Sequence, residues 1–73
     1  MTDPYLRRRI KDRLEEDSEG AVELYEVGPP EPDGRRRVTF YRHMGGESRR
    51  WKTVVRIDPA GTVTECEPPS LDP

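Results

Sequence analysis

The chain has 73 residues, of which 38% are charged and 30% hydrophobic, and its formal net charge at pH 7 is −2. A chain this short forms one small domain with thin stability, because it buries only about 60% of the surface that its unfolded form exposes. No stretch approaches the roughly 18 apolar residues of a membrane span, and the N-terminal residues lack the apolar centre of a secretory signal. We therefore expect a soluble, cytoplasmic protein with no membrane partner.

The charges are segregated along the chain. Residues 1–34 carry a net −5, residues 35–56 a net +7 and residues 57–73 a net −4. Cys66 is the only cysteine, which excludes an internal disulfide and zinc sites built from cysteine pairs. A reducing compartment fits this composition best.

The first predicted element is a helix of about four turns that opens at Asp3, followed by a proline suited to the first helical turn. Leu6, Ile10 and Leu14 recur every four residues and form a narrow apolar stripe. Gly20 can end the helix. Because so short a helix is marginal alone, it must pack on another element.

The charges of this helix run against its dipole. Arginines occupy positions 7–9 in its first half, and acidic residues occupy positions 15–17 at its end. This order costs some tenths of a kcal/mol per charge. Side-chain contacts at i, i+4 offset little of this cost, because in each pair the basic residue precedes the acidic one, which is the weaker orientation. The pairs in question are Arg8 with Asp12, Lys11 with Glu15, and Arg13 with Asp17. We therefore expect a group outside the helix to contact these charges.

Four strands follow, with the sequences "AVELYEV", "RRVTFYRHM", "SRRWKTVVRI" and "TVTEC". The first connection, "GPPEPDG", is stiff because of its prolines. Gly45 and Gly46 predict a tight hairpin loop of two or four residues. Pro59 and Gly61 predict a three-residue loop with a bulge, which sets Ile57 opposite Val63.

The predicted fold is α+β, with an N-terminal helix packed on a small four-stranded antiparallel β-meander. We assign residues 1–66 to a single small domain and residues 67–73 to a disordered C-terminal tail. The alternation of the strands divides their side chains between two faces. The apolar face is predicted to carry Val38, Phe40, Arg42, Trp51, Thr53, Val55, Ile57 and Val63. The opposite, basic face is predicted to carry Thr39, Tyr41, His43, Arg50, Lys52, Val54 and Arg56.

Trp51 is expected in the core, with its indole N–H at the margin and Arg42 stacked on its ring.

The basic stretch is the candidate site. Arginines neutralise phosphates and flat rings stack on bases, so this stretch could bind single-stranded nucleic acid or a partner protein. The candidate contacts are Arg35, Arg36, Arg37, Tyr41, His43, Arg49, Arg50, Lys52 and Arg56. The alternative is that the chain's own acids, above all Glu15, Glu16, Asp17 and Glu19 of the helix, neutralise the arginines. The net acidic chain lacks the basic field typical of nucleic-acid binding.

Catalytic and metal chemistry find little support. His43 and Cys66 are the only candidates for a nucleophilic pair, with Glu47, Glu65 or Glu67 to orient the imidazole, but they fall at opposite ends of the predicted sheet. No metal-ligand spacing is present, and we expect no metal, cofactor or catalytic residue. Pro29 and Pro32 form a Pro-x-x-Pro arrangement that we interpret as a rigid connection, because its neighbours are acidic.

The sequence therefore favours a small non-enzymatic interaction or accessory protein, acting as a homodimer or as a subunit. Single-stranded nucleic-acid binding through the basic face, Arg35 to Arg56, is the alternative.

Overall fold

The computed structural model describes residues 4–17 and 20–72. One helix is followed by five strands: α1 (Pro4–Glu16), β1 (Ala21–Val27), β2 (Arg35–Met44), β3 (Glu47–Ile57), β4 (Val63–Cys66) and β5 (Ser70–Leu71). The predicted α+β architecture is confirmed, with β5 as an addition. The predicted helix cap at Asp3 lies outside the described residues.

The sheet is an antiparallel meander in the order β1-β2-β3-β4, and β5 also pairs with β3. Gly45 and Gly46 have φ angles of 57° and 82° and join Met44 directly to its partner Glu47. Positive φ at both central residues is typical of the two-residue turn whose twist matches that of the strands. The register places Phe40 opposite Trp51, on the same face of the sheet as predicted.

The turn between β3 and β4 also follows the prediction. Ile57 lies opposite Val63, with a register shift between Arg56 and Ile57. Gly61 has a φ of 86° and donates its N–H to the Asp58 carbonyl oxygen at 2.9 Å. The Asp58 carboxylate accepts from the Thr62 N–H at 2.8 Å, which closes the loop on its other side.

The core lies between α1 and one face of the sheet. Its buried hydrophobic side chains are Ile10 and Leu14 of α1, Val22 of β1, Val38 and Phe40 of β2, and Val55 of β3. Burying each of the larger ones contributes roughly 1.5–3 kcal/mol. The predicted helix stripe and apolar sheet face are confirmed.

Polar contacts hold α1 on two flanks. In its first half, the Arg9 guanidinium donates to the Gly61 carbonyl oxygen at 2.9 Å and to that of Ala60 at 3.3 Å. Near its end, the Glu15 carboxylate accepts from the Val22 backbone N–H of β1 at 3.1 Å. The helix therefore has the β3–β4 turn on one flank and the edge strand β1 on the other.

A bulge in β1 explains why its alternation is irregular. Leu24 pairs with Phe40 and Glu26 with Thr39, so Tyr25 is the extra residue. The inserted residue returns Val27 to the core side, opposite Val38.

The C-terminal segment differs from the prediction of a disordered tail. Residues 67–72 lie along β3: Glu67 N donates to Val54 O and Asp72 N to Arg50 O, both at 3.0 Å, and Leu71 pairs with Trp51. β4 pairs with β3 only from Val55 onward, so the backbone groups before that point are available to the segment. Across the described residues, no helix is long and apolar enough to cross a membrane.

Candidate interaction surface

The sheet face opposite α1 forms the candidate surface, which we call the open face. The strand pairing shows which side chains lie on this face. The pairs on it are Arg35 with Arg56, Arg37 with Val54, Thr39 with Lys52, Tyr41 with Arg50, His43 with Ser48, and Glu23 with Tyr41. Tyr25 joins it through the bulge, next to Tyr41. The predicted membership of this face is confirmed.

Seven of the nine predicted contact residues share the open face: Arg35, Arg37, Tyr41, His43, Arg50, Lys52 and Arg56. The other two do not. Arg36 pairs with core residue Val55, and its guanidinium donates to the Gly28 carbonyl oxygen at 3.3 Å. Arg49 pairs with Arg42 on the helix side and lies 3.5 Å from Glu47. Because successive side chains of a strand point to opposite faces, these two arginines lie on the helix side of the sheet.

Three arginines of the open face make ion pairs with acids of nearby loops and strands. The separations are 3.4 Å for Arg35 and Asp33, 3.0 Å for Arg50 and Asp72, and 3.6 Å for Arg56 and Glu65. Partly exposed pairs of this kind contribute little to stability, but they lower the local positive charge.

The helix acids that the structure describes, Glu15, Glu16 and Asp17, do not make these ion pairs, which the sequence had left open as an alternative. Asp17 lies 3.3 Å from Arg13, and Glu15 binds the Val22 N–H. Neither is paired with the open face because α1 packs on the other side of the sheet. Glu19 lies outside the described residues.

Arg37 and Lys52 stand apart, because neither makes an ion pair with any residue in the described ranges. Both line a groove of about 440 Å³ between the β2–β3 strands and the C-terminal segment. Thr39, Lys52 and Ser70 form a row across this groove, since Lys52 pairs with Thr39 on one side and with Ser70 on the other. Two hydroxyl groups beside an ammonium group suit a carboxylate or a phosphate.

An aromatic pair adjoins the cations. The Tyr25 and Tyr41 ring centroids are 5.7 Å apart at an interplanar angle of 76°, and Tyr25 is 53% exposed. Tyr25 was not among the surface residues predicted for this site. The signal was the broken alternation in "LYEV", which a bulge explains.

His43 has side-chain partners that the sequence pattern did not predict. Its Nδ1 lies 2.6 Å from Ser48 Oγ, and its Nε2 lies 3.4 Å from Glu23 Oε2. These groups are exposed, and neither His43 nor Ser48 lines the groove at Arg37 and Lys52. We interpret the contacts as a polar link between β1 and the β2–β3 hairpin.

His43 and Cys66, the only candidates for a nucleophilic pair, do not lie close together. Cys66 lies opposite Val55, and His43 lies opposite Ser48, seven residues away along β3. At about 3.3 Å per residue, that is roughly 23 Å. Burial raises the pKa of the Cys66 thiol, which disfavours the reactive thiolate at neutral pH.

Trp51 packs against the core, and the Arg42 guanidinium lies 4.4 Å from its ring centroid, as predicted. The indole Nε1 is buried and has no hydrogen-bond partner among residues 4–17 and 20–72, which differs from the expected position at the margin.

Within residues 4–17 and 20–72, no group of three or more His, Cys, Asp or Glu side chains could hold a metal ion. Comparisons of the chain with protein-family models, curated proteins and solved structures found no match.

Proposed function

We propose that the protein is a small non-enzymatic interaction protein whose open face binds an acidic segment of another protein. The observation that carries the proposal is that Arg37 and Lys52 line one groove, exposed and without ion pairs in the described chain. The other arginines of this face already make ion pairs. Glu67 and Asp72 also line the groove, but neither makes an ion pair with Arg37 or Lys52, so these two are the contacts that we assign to an external carboxylate.

Symmetry argues for an acidic partner here and not for a second copy. In a two-fold dimer the surface on the axis meets itself. A contact centred on Arg37 and Lys52 would bring like charges together, which is unfavourable. An acidic segment compensates both charges, and the hydroxyl groups of Thr39 and Ser70 can donate to its carboxylates.

Binding can be measured by fluorescence anisotropy with a labelled peptide rich in Asp and Glu, and with a neutral peptide of equal length. We expect the acidic peptide alone to bind, with an affinity that falls as salt rises. The double variant Arg37→Ala/Lys52→Ala should weaken binding at least about tenfold, which corresponds to 1.4 kcal/mol. The matched control Arg35→Ala/Arg56→Ala removes two cations that are already paired. Equal losses for both double variants would contradict the proposal.

Single-stranded nucleic acid is the second candidate, and the exposed Tyr25 ring beside Tyr41 favours it. Glu23 and Glu26 lie on the same strand as Tyr25 and oppose a phosphate chain. An oligothymidylate can be tested in the same assay. If it binds more tightly than the acidic peptide, and Tyr25→Ala weakens it, nucleic-acid binding replaces the first proposal. Removing one cation that binds a phosphate should then lower the salt slope by about one.

The proposal places the protein in the cytoplasm, since a lone, half-buried cysteine fits a reducing compartment.

A further inference from the structure

The order of charges in α1 is only partly explained by contacts within the chain. Arg9 binds the β3–β4 turn and Arg13 lies beside Asp17. Arg7, Arg8 and Lys11 make no ion pair with any described residue. Arg7 and Arg8 thus remain in the half of the helix where the dipole disfavours them, and Lys11 lies just past its middle.

These cations share one flank of the molecule. Arg7, Arg8 and Lys11 line a groove between α1 and the edge strand β1, together with Asp12, Glu23 and Leu24. Glu15, one turn further along α1, reaches the same strand at Val22. We call this surface the α1–β1 flank. Its helix is basic toward the start and acidic toward the end.

We propose that a second copy of the chain docks on the α1–β1 flank, with the two β1 edges side by side and the two α1 helices antiparallel. A two-fold axis perpendicular to the sheet reverses the helix direction. It therefore brings the cationic half of each helix toward the acidic half of the other, where Asp12 and Glu15 lie. The flank is self-complementary, as a two-fold interface requires.

The edge of β1 fits a weak, reversible contact. The Val22 N–H points away from β2, because it donates to the Glu15 carboxylate. Ala21–Leu24 is the regular stretch before the bulge, so only a short edge is free to pair. On docking, a carbonyl oxygen of the second copy replaces Glu15 as acceptor. The released carboxylate then meets the cations of the opposite helix.

Light scattering over a concentration series from about 1 μM to about 1 mM tests the assembly by mass action. The average mass should rise from 8.5 kDa toward twice that value, and added salt should shift the midpoint to higher concentration. A constant mass of one chain over the series overturns the proposal.

The inference does not depend on the open face. The control variant Arg37→Glu/Lys52→Glu should therefore associate as the unchanged chain does, and its loss of association would also overturn the proposal.

Charge exchange supplies the decisive test. Arg8→Glu/Lys11→Glu and Asp12→Lys/Glu15→Gln should each remain single chains, whereas an equal mixture should form mixed dimers. Glutamine keeps an acceptor for the Val22 N–H, and circular dichroism verifies that each variant is folded. An Arg8→Glu/Lys11→Glu variant that associates unchanged overturns the proposal, as does a mixture of folded variants that stays monomeric. For the unchanged chain, hydrogen exchange at the Val22 amide should slow as the protein concentration rises.

Discussion

The guanidinium of Arg9 in α1 donates to the carbonyl oxygen of Gly61, which lies 52 residues later in the chain, at 2.9 Å. This contact holds the first half of the helix against the β3–β4 turn, while the bond from Val22 to Glu15 holds its last turn against β1. The position of the helix therefore depends on polar contacts on two flanks as well as on the packing of Ile10 and Leu14.

Replacing Arg9 by methionine should lower the free energy of unfolding by about 0.5–1.5 kcal/mol, because the hydrogen bonds to the turn are removed while much of the aliphatic chain is kept. Urea titration measures the loss. Arg8→Met is the matched control, since Arg8 has no ion pair in the described residues, and it should change stability by less than about 0.5 kcal/mol. An equal effect of the two changes would contradict this role of Arg9.

Adding a methyl group at Gly61 tests the same contact from the other side. A Cβ there would lie 2.9 Å from Arg9 Nη1, and the φ of 86° is one that side chains disfavour. Gly61→Ala should cost about 1–2 kcal/mol from backbone strain alone. In Arg9→Met the clash is relieved, so a double-mutant cycle should show a smaller cost for Gly61→Ala in that background.

Phe40 is fully buried, whereas Tyr41 is on the open face and half-buried. Phe40→Ala should cost about 3–5 kcal/mol, a large part of the stability of so small a domain. Tyr41→Ala should cost within about 1 kcal/mol. Comparable losses in urea would mean that the open face is covered in solution.

Truncation after Glu67 tests the C-terminal segment. It removes the bond from Asp72 N to Arg50 O and the pairing of Leu71 with Trp51. We expect a loss of about 1–2 kcal/mol and a shift of tryptophan emission to longer wavelength as the half-buried indole gains water. Unchanged emission and stability would support the disordered tail that the sequence predicts.

We expect the half-buried Cys66 thiol to make the free energy of unfolding fall at alkaline pH. Burial raises its pKa above the ordinary value of 9.0 in the folded chain. The unfolded chain then loses its proton first, so this contribution to stability is complete below pH 9.0 and disappears as pH rises through the folded pKa. Urea titrations of the unchanged chain and of Cys66→Ala should diverge in this range. Parallel pH profiles would contradict the assignment.

Local pattern in the sequence was enough for most of the fold. The alternation of Phe40, Trp51 and Val55 assigned the core face correctly, because successive side chains of a strand point to opposite sides whatever the neighbours are. Gly45 and Gly61 marked their turns because both need a positive φ that other residues avoid. These features depend on a few adjacent residues.

Only the tertiary structure decided which distant groups meet. Tyr25 lies on the open face because of a bulge, and the C-terminal segment pairs with the backbone groups of β3 that β4 leaves free. The arginines paired with loop and strand acids such as Asp72 because α1 lies on the far side of the sheet. Ion pairing and edge pairing depend on distances in space and not on separation along the chain. For this reason Arg37 and Lys52 could be identified as cations without ion pairs in the described part of the chain only once the fold was known.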